Sequence, residues 1–521
     1  MNNSNVNFLL KCIDCGTEFF TEGEQQFYFE KKLSLPKRCS KCREKRKLQS
    51  VYDEIINNWS VEAKKENPAY FYNIEEVNLI REGKKSFVIG RKGSGKTAIA
   101  KYICDIKNPK IFSKKITFKN FPFNFLYSLD NKADYTAPNQ YISLWMYLIY
   151  TYICKLIITN ENINPTIREK LQKIYGQSDE KSLTKMLETW TSTEFGLQIL
   201  GIGLTYGRQK NSNRITWIES IEVLQQIIID YCDDSEYYIV FDELDEDYKD
   251  FKKHEELENY TCMLTSLFKA VQSIREIFDD QGKSIFPVVF LRSDIFARLT
   301  DSDKNKWHEG AIELAWDQLQ LKNMLAHRLC VAFNHPDTSF ESISQKLFGC
   351  ETVTMGNNQQ KSLPIFEYIE RSTELRPRDF IQYIKETVSL AKRINEYPIQ
   401  AKTIKDADDN FSEYLKRETI DELFAILPEI NEILGLLSTI RKQRFRFESF
   451  NEEYTLLLKQ ENIPKRDVKQ VLLWLFDAGV IGNQPSMKGQ TIFSFNKKKP
   501  RFNFHELMIV HRGLYKALQI Y

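Results

Sequence analysis

Residues 86–97 read SFVIGRKGSGKT, and AIAKYI follows at 98–103. The apolar run SFVIG predicts a short buried strand, and the residues after the glycines predict a helix that opens near Gly95. Between them lies the spacing G-x-x-x-x-G-K-T, with Gly90, Gly95, Lys96 and Thr97 at its fixed positions. Glycines let backbone N–H groups wrap an anion, and the start of a helix adds partial positive charge. A lysine at this place reaches β- and γ-phosphates, and the hydroxyl after it holds Mg²⁺. The backbone through Gly93, Ser94, Gly95, Lys96, Thr97 and Ala98 is therefore the expected phosphate cradle. A chance glycine-rich turn would need neither the strand before it nor the helix after it.

A phosphate loop of this kind needs a second Mg²⁺ partner, an acid at the end of a neighbouring strand. Residues 237–247, YYIVFDELDED, supply one: a buried strand, then acids at the end where open α/β sheets bind ligands. Asp242 is the expected magnesium partner of Thr97. Glu243 is the expected base that polarises the attacking water, with Asp245 as its rival; acids beyond Glu246 read as solvated. At 288–296, VVFLRSDIF is a further strand, ending in Arg292, Ser293 and Asp294. Arg292 reads as a contact to the γ-phosphate or an arginine finger, against the plainer reading of a surface salt bridge.

Working outward, strand-like and helix-like runs alternate from Ser86 to the strand at 284–291, which implies βαβ units and a parallel sheet. The fold class is therefore α/β, a P-loop core with helices on its parallel sheet. Residues 315–420 read mainly helical. The expected division is 1–50, a small metal unit; 51–84, a helical linker; 85–330, the core; 331–415, a helical lid; and 416–521, a C-terminal module. The 521 residues carry 73 Lys plus Arg against 71 Asp plus Glu, so the net charge of +2 says nothing about partners. Its distribution says more, since residues 31–47 hold nine basic residues and one acid.

The opening MNNSNVNFLLKC has neither the basic start nor the long apolar run of a signal peptide. YISLWMYLIYTYIC at 141–154 is shorter than the ~20 residues a bilayer needs and reads as a buried helix. Cys104, Cys154, Cys232, Cys262, Cys330 and Cys350 are scattered in apolar stretches, as in a reducing compartment. The expectation is a cytoplasmic chain with no membrane partner.

Cys12, Cys15, Cys39 and Cys42 stand apart as two C-x-x-C pairs with 23 residues between them. Four thiolates at that spacing suit a closed tetrahedral Zn²⁺ site, and so short a segment rarely folds without such a staple. Iron in a rubredoxin-like site and a redox pair are the alternatives. The segment resembles a small bacterial zinc-ribbon family. Its basic run KRCSKCREKRK suits nucleic-acid phosphates, and Phe19, Phe20, Phe27, Tyr28 and Phe29 either stack bases or form the unit's own small core. A protein partner is the other use of such a unit.

At the other end, PKRDVKQVLLWLFDAGV (464–480) is an amphipathic helix closed at Ala478 and Gly479. VIGN and TIFSFN then read as a hairpin, and VHRGLYKAL as a final helix. This order resembles a winged-helix domain. Lys465, Arg466, Lys469, Lys497–Lys499 and Arg501 are placed to meet backbone phosphates, while Leu472, Leu473, Leu475 and Phe476 mark the helix as core. DNA binding and an internal brake on the core are both open.

Taken together, GRKGSGKT, DELDE and FLRSDIF resemble the core of bacterial P-loop ATPases of the AAA+/STAND group. That resemblance implies ATP and Mg²⁺ as ligands, a multidomain switch, self-association and frequent links to anti-phage defence. It also implies that Asp245 and Glu246 join the site, and that a small residue usually stands where this chain has Glu243. TELRPRDFIQYIKE (373–386) resembles the second-sensor helix of such ATPases, which gives Arg376 or Arg378 a nucleotide contact. Pro377 in the first turn equally suits a residue that caps the helix start. The function expected is a regulatory ATPase that answers to nucleic acid or a protein trigger; the alternative is a nucleotide-binding scaffold with little turnover. A helicase or nuclease motor is disfavoured, because no second core and no metal-nuclease cluster is present. A P-loop kinase is disfavoured too, for want of an acceptor-binding pattern.

Overall fold

The structure, a computed structural model, describes residues 9–62, 65, 67–117, 141–175, 190, 219–245, 254–355, 361–460, 463–485, 490–497 and 500–520. The chain forms two compact units, one of residues 1–72, 317–420 and 431–521, the other of residues 73–316 with 421–430.

The first unit begins with a short antiparallel hairpin, β1 (Leu10–Lys11) and β2 (Glu18–Phe19), in which Leu10 lies opposite Phe19. Thr21 and Glu24 form a capping box for the helix Glu22–Glu30, which buries none of its residues. Cys39 then caps the helix Ser40–Asn58, so Cys42 lies in that helix's first turn. Leu48, Val51, Tyr52 and Ile55 recur at helical spacing and form its buried face. The second cysteine pair therefore opens a helix, where a ribbon would place a second hairpin. That helix runs straight through the expected boundary at residue 50.

The second unit holds a five-stranded parallel sheet, the expected α/β class. Its strands are β3 (Phe87–Gly90), β4 (Ile111–Thr117), β5 (Glu236–Asp242), β6 (Ile285–Arg292) and β7 (Ala311–Leu314), in the spatial order β4-β5-β6-β3-β7. The inner strands are apolar along nearly their whole length because helices cover both faces. Register decides what meets at the carboxyl edge. Gly90 pairs with Arg292 across β3 and β6, and Asp242 with Thr117 across β5 and β4. The strand that ends in Arg292 lies between the strand of the glycine loop and the strand of Asp242.

The apolar helix Ile142–Thr159 is long and apolar enough to cross a membrane by length and composition, yet twelve of its residues are buried in this unit. Trp145 sets its ring edge-on to Phe241 of β5 and donates from Nε1 to the Met263 carbonyl at 2.9 Å. The helix is part of the core, as the short apolar run at 141–154 indicated.

Returning to the first unit, the helices Gln318–Phe333, Phe340–Leu347, Pro377–Arg393 and Ala401–Leu423 match the helical reading of that region. A hairpin of β8 (Thr352–Met355) and β9 (Lys361–Pro364) interrupts them and had no clear signal. The C-terminal module has helices Ile430–Ile440, Phe447–Gln460 and Val468–Asp477 and an antiparallel sheet of β10 (Arg444–Phe445), β12 (Leu507–Val510) and β11 (Ile481–Gln484), with β12 central. Two expectations change here. TIFSFN contributes only a single bridge, Ile492 to Asn483, and the ladder partner of β11 is β12. The stretch read as a final helix ends β12 and continues as the short 3-10 turn Arg512–Leu514. Gly513 explains the break: a Cβ there would lie 2.2 Å from the Ser372 carbonyl oxygen, so the chain runs against another backbone where a helix would not fit.

Candidate nucleotide site and zinc unit

The glycine loop joins β3 to the helix Lys96–Cys104. Gly93 and Gly95 have φ of +82° and +99°, a region side-chain-bearing residues avoid. A Cβ on Gly90 would fall 2.4 Å from Ser94 Oγ and 3.1 Å from Leu314 Cβ, so any side chain there would push the surrounding side chains out of place. Lys96 folds back over it and donates from Nζ to the carbonyls of Gly90 at 2.8 Å and Arg91 at 3.0 Å. Desolvation in this crevice brings the Lys96 ammonium down to about 8, although the Asp245 carboxylate opposes it. Ser94 Oγ is buried with no hydrogen-bond partner, while the Ser94 carbonyl is held by Trp316 Nε1 at 2.8 Å. An orphaned hydroxyl, a cradle without room for a Cβ and an under-compensated ammonium together fit a bound phosphate chain.

Asp242 ends β5 with its side chain only 2% exposed. Its two oxygens have separate partners. Thr97 Oγ1 donates to Oδ1 at 3.4 Å, and Lys115 Nζ from β4 pairs with Oδ2 at 2.6 Å. A hydroxyl and a carboxylate oxygen thus converge where Mg²⁺ would be held, with Lys115 as a resident counter-ion on the far side. Sequence reasoning missed Lys115. The available signal was a lysine inside the strand run IFSKKIT, but its partner depends on the register between β4 and β5.

Glu243 follows with φ of +59°, a left-handed conformation uncommon for any residue with a side chain. This is the position at which the AAA+/STAND resemblance implies a small residue. The turn lets buried Leu244 accept a hydrogen bond from Tyr260 Oη and brings Asp245 back toward β6. There Arg292, 4% exposed, donates from Nη1 to Asp245 at 3.3 Å and from Nε and Nη2 to Asp294 at 3.0 and 2.7 Å. Burial works against the guanidinium charge, but Asp294 and, after it, Glu422 and Asp245 outweigh it and raise the Arg292 pKa above its ordinary value. Arg292 is thus a buried guanidinium held between two more exposed carboxylates. Glu246 lies outside the described residues.

Arg376 and Arg378 belong to the other compact unit. Arg376 stands at the N-cap of the helix Pro377–Arg393, buried, with Nε on Asp379 at 3.1 Å and Nη1 near Glu374 at 3.5 Å. Arg378 pairs with Glu418 at 3.2 Å. In the C-terminal module, Leu472, Leu475 and Phe476 are buried as expected, Leu473 is only partly buried and Val471 joins the core instead, while Lys465, Lys469, Lys497 and Arg501 are exposed. Lys498 and Lys499 lie outside the described residues.

The four N-terminal cysteines meet. Their sulfurs all lie within 4.8 Å of one another, and Cys15 and Cys39 are 3.7 Å apart. Tetrahedral zinc with Zn–S bonds of about 2.3 Å sets its sulfurs about 3.8 Å apart, so the donor set fits Zn²⁺. Gly16, with φ of +72°, allows the tight first knuckle, in which its N–H donates to the Cys12 carbonyl at 2.9 Å. Asp14 fastens this knuckle to the second by accepting from Arg38 at 2.8 Å and from Arg46 at 2.9 and 3.1 Å. Its hydrogen bond from Arg46 holds the Asp14 carboxyl below its ordinary value.

Comparison with known proteins finds two family models. Residues 8–50 match a model described as a probable treble clef domain, in accord with the helical setting of Cys39 and Cys42. Residues 319–419 match a model described as a FunZ-associated C-terminal helical domain. No curated protein matches the chain. Among solved structures it is similar to the Aeropyrum pernix ORC2 protein in ADPNP–ADP complexes, at 12% identity and a TM-score of 0.38, over 85% of this chain and 89% of that one. It is also similar to the Aeropyrum pernix ORC1 protein in complex with DNA, at 11% identity and a TM-score of 0.36, over 89% and 96%. Cdc6p from Pyrobaculum aerophilum follows at 12% identity and a TM-score of 0.28, over 93% and 94%. Likeness this distant carries no weight for function, which rests on the geometry above.

Proposed function

We propose that this chain is a Mg²⁺-dependent ATPase that acts as a regulatory switch, its flanking modules answering to nucleic acid or a protein partner. The observation that supports this most is the meeting of three strand ends at one sheet edge: the Gly90–Thr97 loop, Asp242 against Thr97, and Arg292 among acids. In this reading the loop N–H groups and Lys96 bind the phosphates and orient the γ-phosphoryl group. Thr97 and Asp242 hold Mg²⁺, which when bound supplies charge neutralisation across the β- and γ-phosphates. Lys115 keeps the Asp242 carboxylate aimed. Glu243 orients the attacking water and receives its proton as the bond to the γ-phosphorus forms and the bond to the β–γ bridging oxygen breaks. Arg292 reads the γ-phosphate when its acids release it.

One observation favours the second reading, a scaffold that holds nucleotide with little turnover: Arg292 is clamped by two carboxylates. Steady-state hydrolysis by wild type, Glu243→Gln and Asp245→Asn separates the two. The ATPase reading expects measurable turnover, lost in Glu243→Gln and altered more modestly in Asp245→Asn. ATP binding with no turnover in wild type would establish the scaffold instead.

A further inference from the structure

The treble-clef unit sorts its basic run into two classes. Its arginines are used internally: Arg38 and Arg46 on Asp14, and Arg43 on Glu24 and Tyr28. Lys31, Lys32, Lys37, Lys41 and Lys47 are exposed and make no ion pair among the described residues. Charges left outward while neighbouring arginines all close the fold are charges available to an anionic partner.

The aromatic residues divide the same way. Phe20 is 1% exposed and forms the core of the unit, with Tyr28 edge-on against it at 5.6 Å. Phe27 and Phe29 are 52% and 87% exposed, on a helix that buries nothing. Six of the ten exposed large hydrophobic side chains among the described residues fall within residues 9–35. They emerge from connected backbone: Leu33 N–H bonds to the Tyr28 carbonyl at 2.9 Å and Ile13 N–H to the Lys37 carbonyl at 3.2 Å. Neither hydrophobic burial nor the zinc site explains why two phenylalanines stand exposed in the same short segment as lysines without ion pairs.

We propose that this exposed segment binds single-stranded nucleic acid, which wraps the helix with unpaired bases on Phe27 and Phe29, two positions apart and so on different sides of it, and phosphates on Lys31, Lys32 and Lys37. The charge selects a polyanion, and the exposed rings select one with free base faces, because a duplex hides its bases in its own stack. The zinc serves only to hold the segment in shape. The proposal rests on the regulatory ATPase reading only for its coupling to hydrolysis; the binding itself is independent of it.

The test is fluorescence anisotropy with labelled oligothymidylate and a labelled DNA duplex of the same length, at low and raised salt. The protein is full-length and zinc-loaded, in both wild-type and Lys96→Ala forms, so that failure at the nucleotide site does not masquerade as failure here. The expected result is tighter binding of the single strand in both forms. Phe27→Ala with Phe29→Ala should weaken it about tenfold or more and leave duplex binding unchanged. Lys31→Glu with Lys32→Glu should weaken both and flatten the salt dependence. Both pairs are exposed, and retained zinc content verifies that the unit still folds. No binding of either probe at low salt would overturn the proposal and assign the segment to a protein. Binding indifferent to the phenylalanine changes would overturn it as well.

Discussion

The nucleotide edge and the zinc unit both rest on acid–base pairs, and they use them in opposite ways. At the sheet edge one member of each pair is fully buried: Asp242 against Lys115, and Arg292 against the more exposed Asp245 and Asp294. In the zinc unit the comparable pairs, Asp14 with Arg38 and Arg46, have no buried member, and the tie that matters is the set of four thiols. A buried pair is costly to break because one uncompensated charge remains in a medium that cannot solvate it, whereas water replaces either partner of an exposed one. The contrast therefore predicts where substitution hurts, and by how much.

The largest effect should come from the metal. Chelation, or Cys42→Ser, removes a term of about 10 kcal/mol or more from a unit too small to fold without it. Limited proteolysis should then open residues 9–50, while ATP binding by the other unit persists. Loss of ATP binding together with the zinc would break the distinction drawn between the two regions.

Next in size is Lys115→Met, which strands the Asp242 carboxylate. We expect a loss of about 3 kcal/mol, the lower end for a buried pair because Lys115 is itself 22% exposed. Added Mg²⁺ should restore melting temperature in this variant far more than in wild type, and Lys115→Arg should behave like wild type. Equal Mg²⁺ dependence in all three would show that Lys115 is no counter-ion.

Glu243→Gly is predicted to separate stability from catalysis. Relief of the left-handed strain should raise stability by about 1 kcal/mol, while hydrolysis falls. A variant as active as wild type would remove Glu243 from the proposed mechanism.

The pH dependence follows from Lys96. Its pKa is lowered from 10.5 to about 8 in the folded protein, so above about pH 8 the folded state holds fewer protons than the unfolded one. Stability without nucleotide should therefore rise between about pH 8 and 10.5, while ATP affinity falls over the same range as the ammonium is lost. Lys96→Arg, charged throughout, should lose that pH dependence of binding. The smallest effect belongs to Arg46→Ala at the zinc unit, where a melting curve and zinc content close to wild type are expected.

What could be read in advance follows the same physics. The phosphate loop was legible because its glycines, lysine and threonine are contiguous, and Asp242 because an apolar strand points to it. Lys115 was not legible, since its partnership is set by register between strands far apart in sequence. The helix after Cys42 did carry a signal, in Leu48, Val51, Tyr52 and Ile55, but that periodicity crosses the boundary drawn at residue 50. VHRGLYKAL has a helix-like composition, yet the close approach of backbone at Gly513 overrides it, a tertiary constraint no local pattern contains. The division of the basic run into inward arginines and outward lysines likewise needed coordinates, because both residue types look alike in a charge count.

The measurement closest to the central claim is a calorimetric titration of Mg·ATP into wild-type protein and Lys96→Ala. The account predicts one saturable site in wild type and none detectable in the variant, with the fold of both intact. Equal binding by the two proteins would contradict it, and the sheet edge would lose its claim to be a nucleotide site.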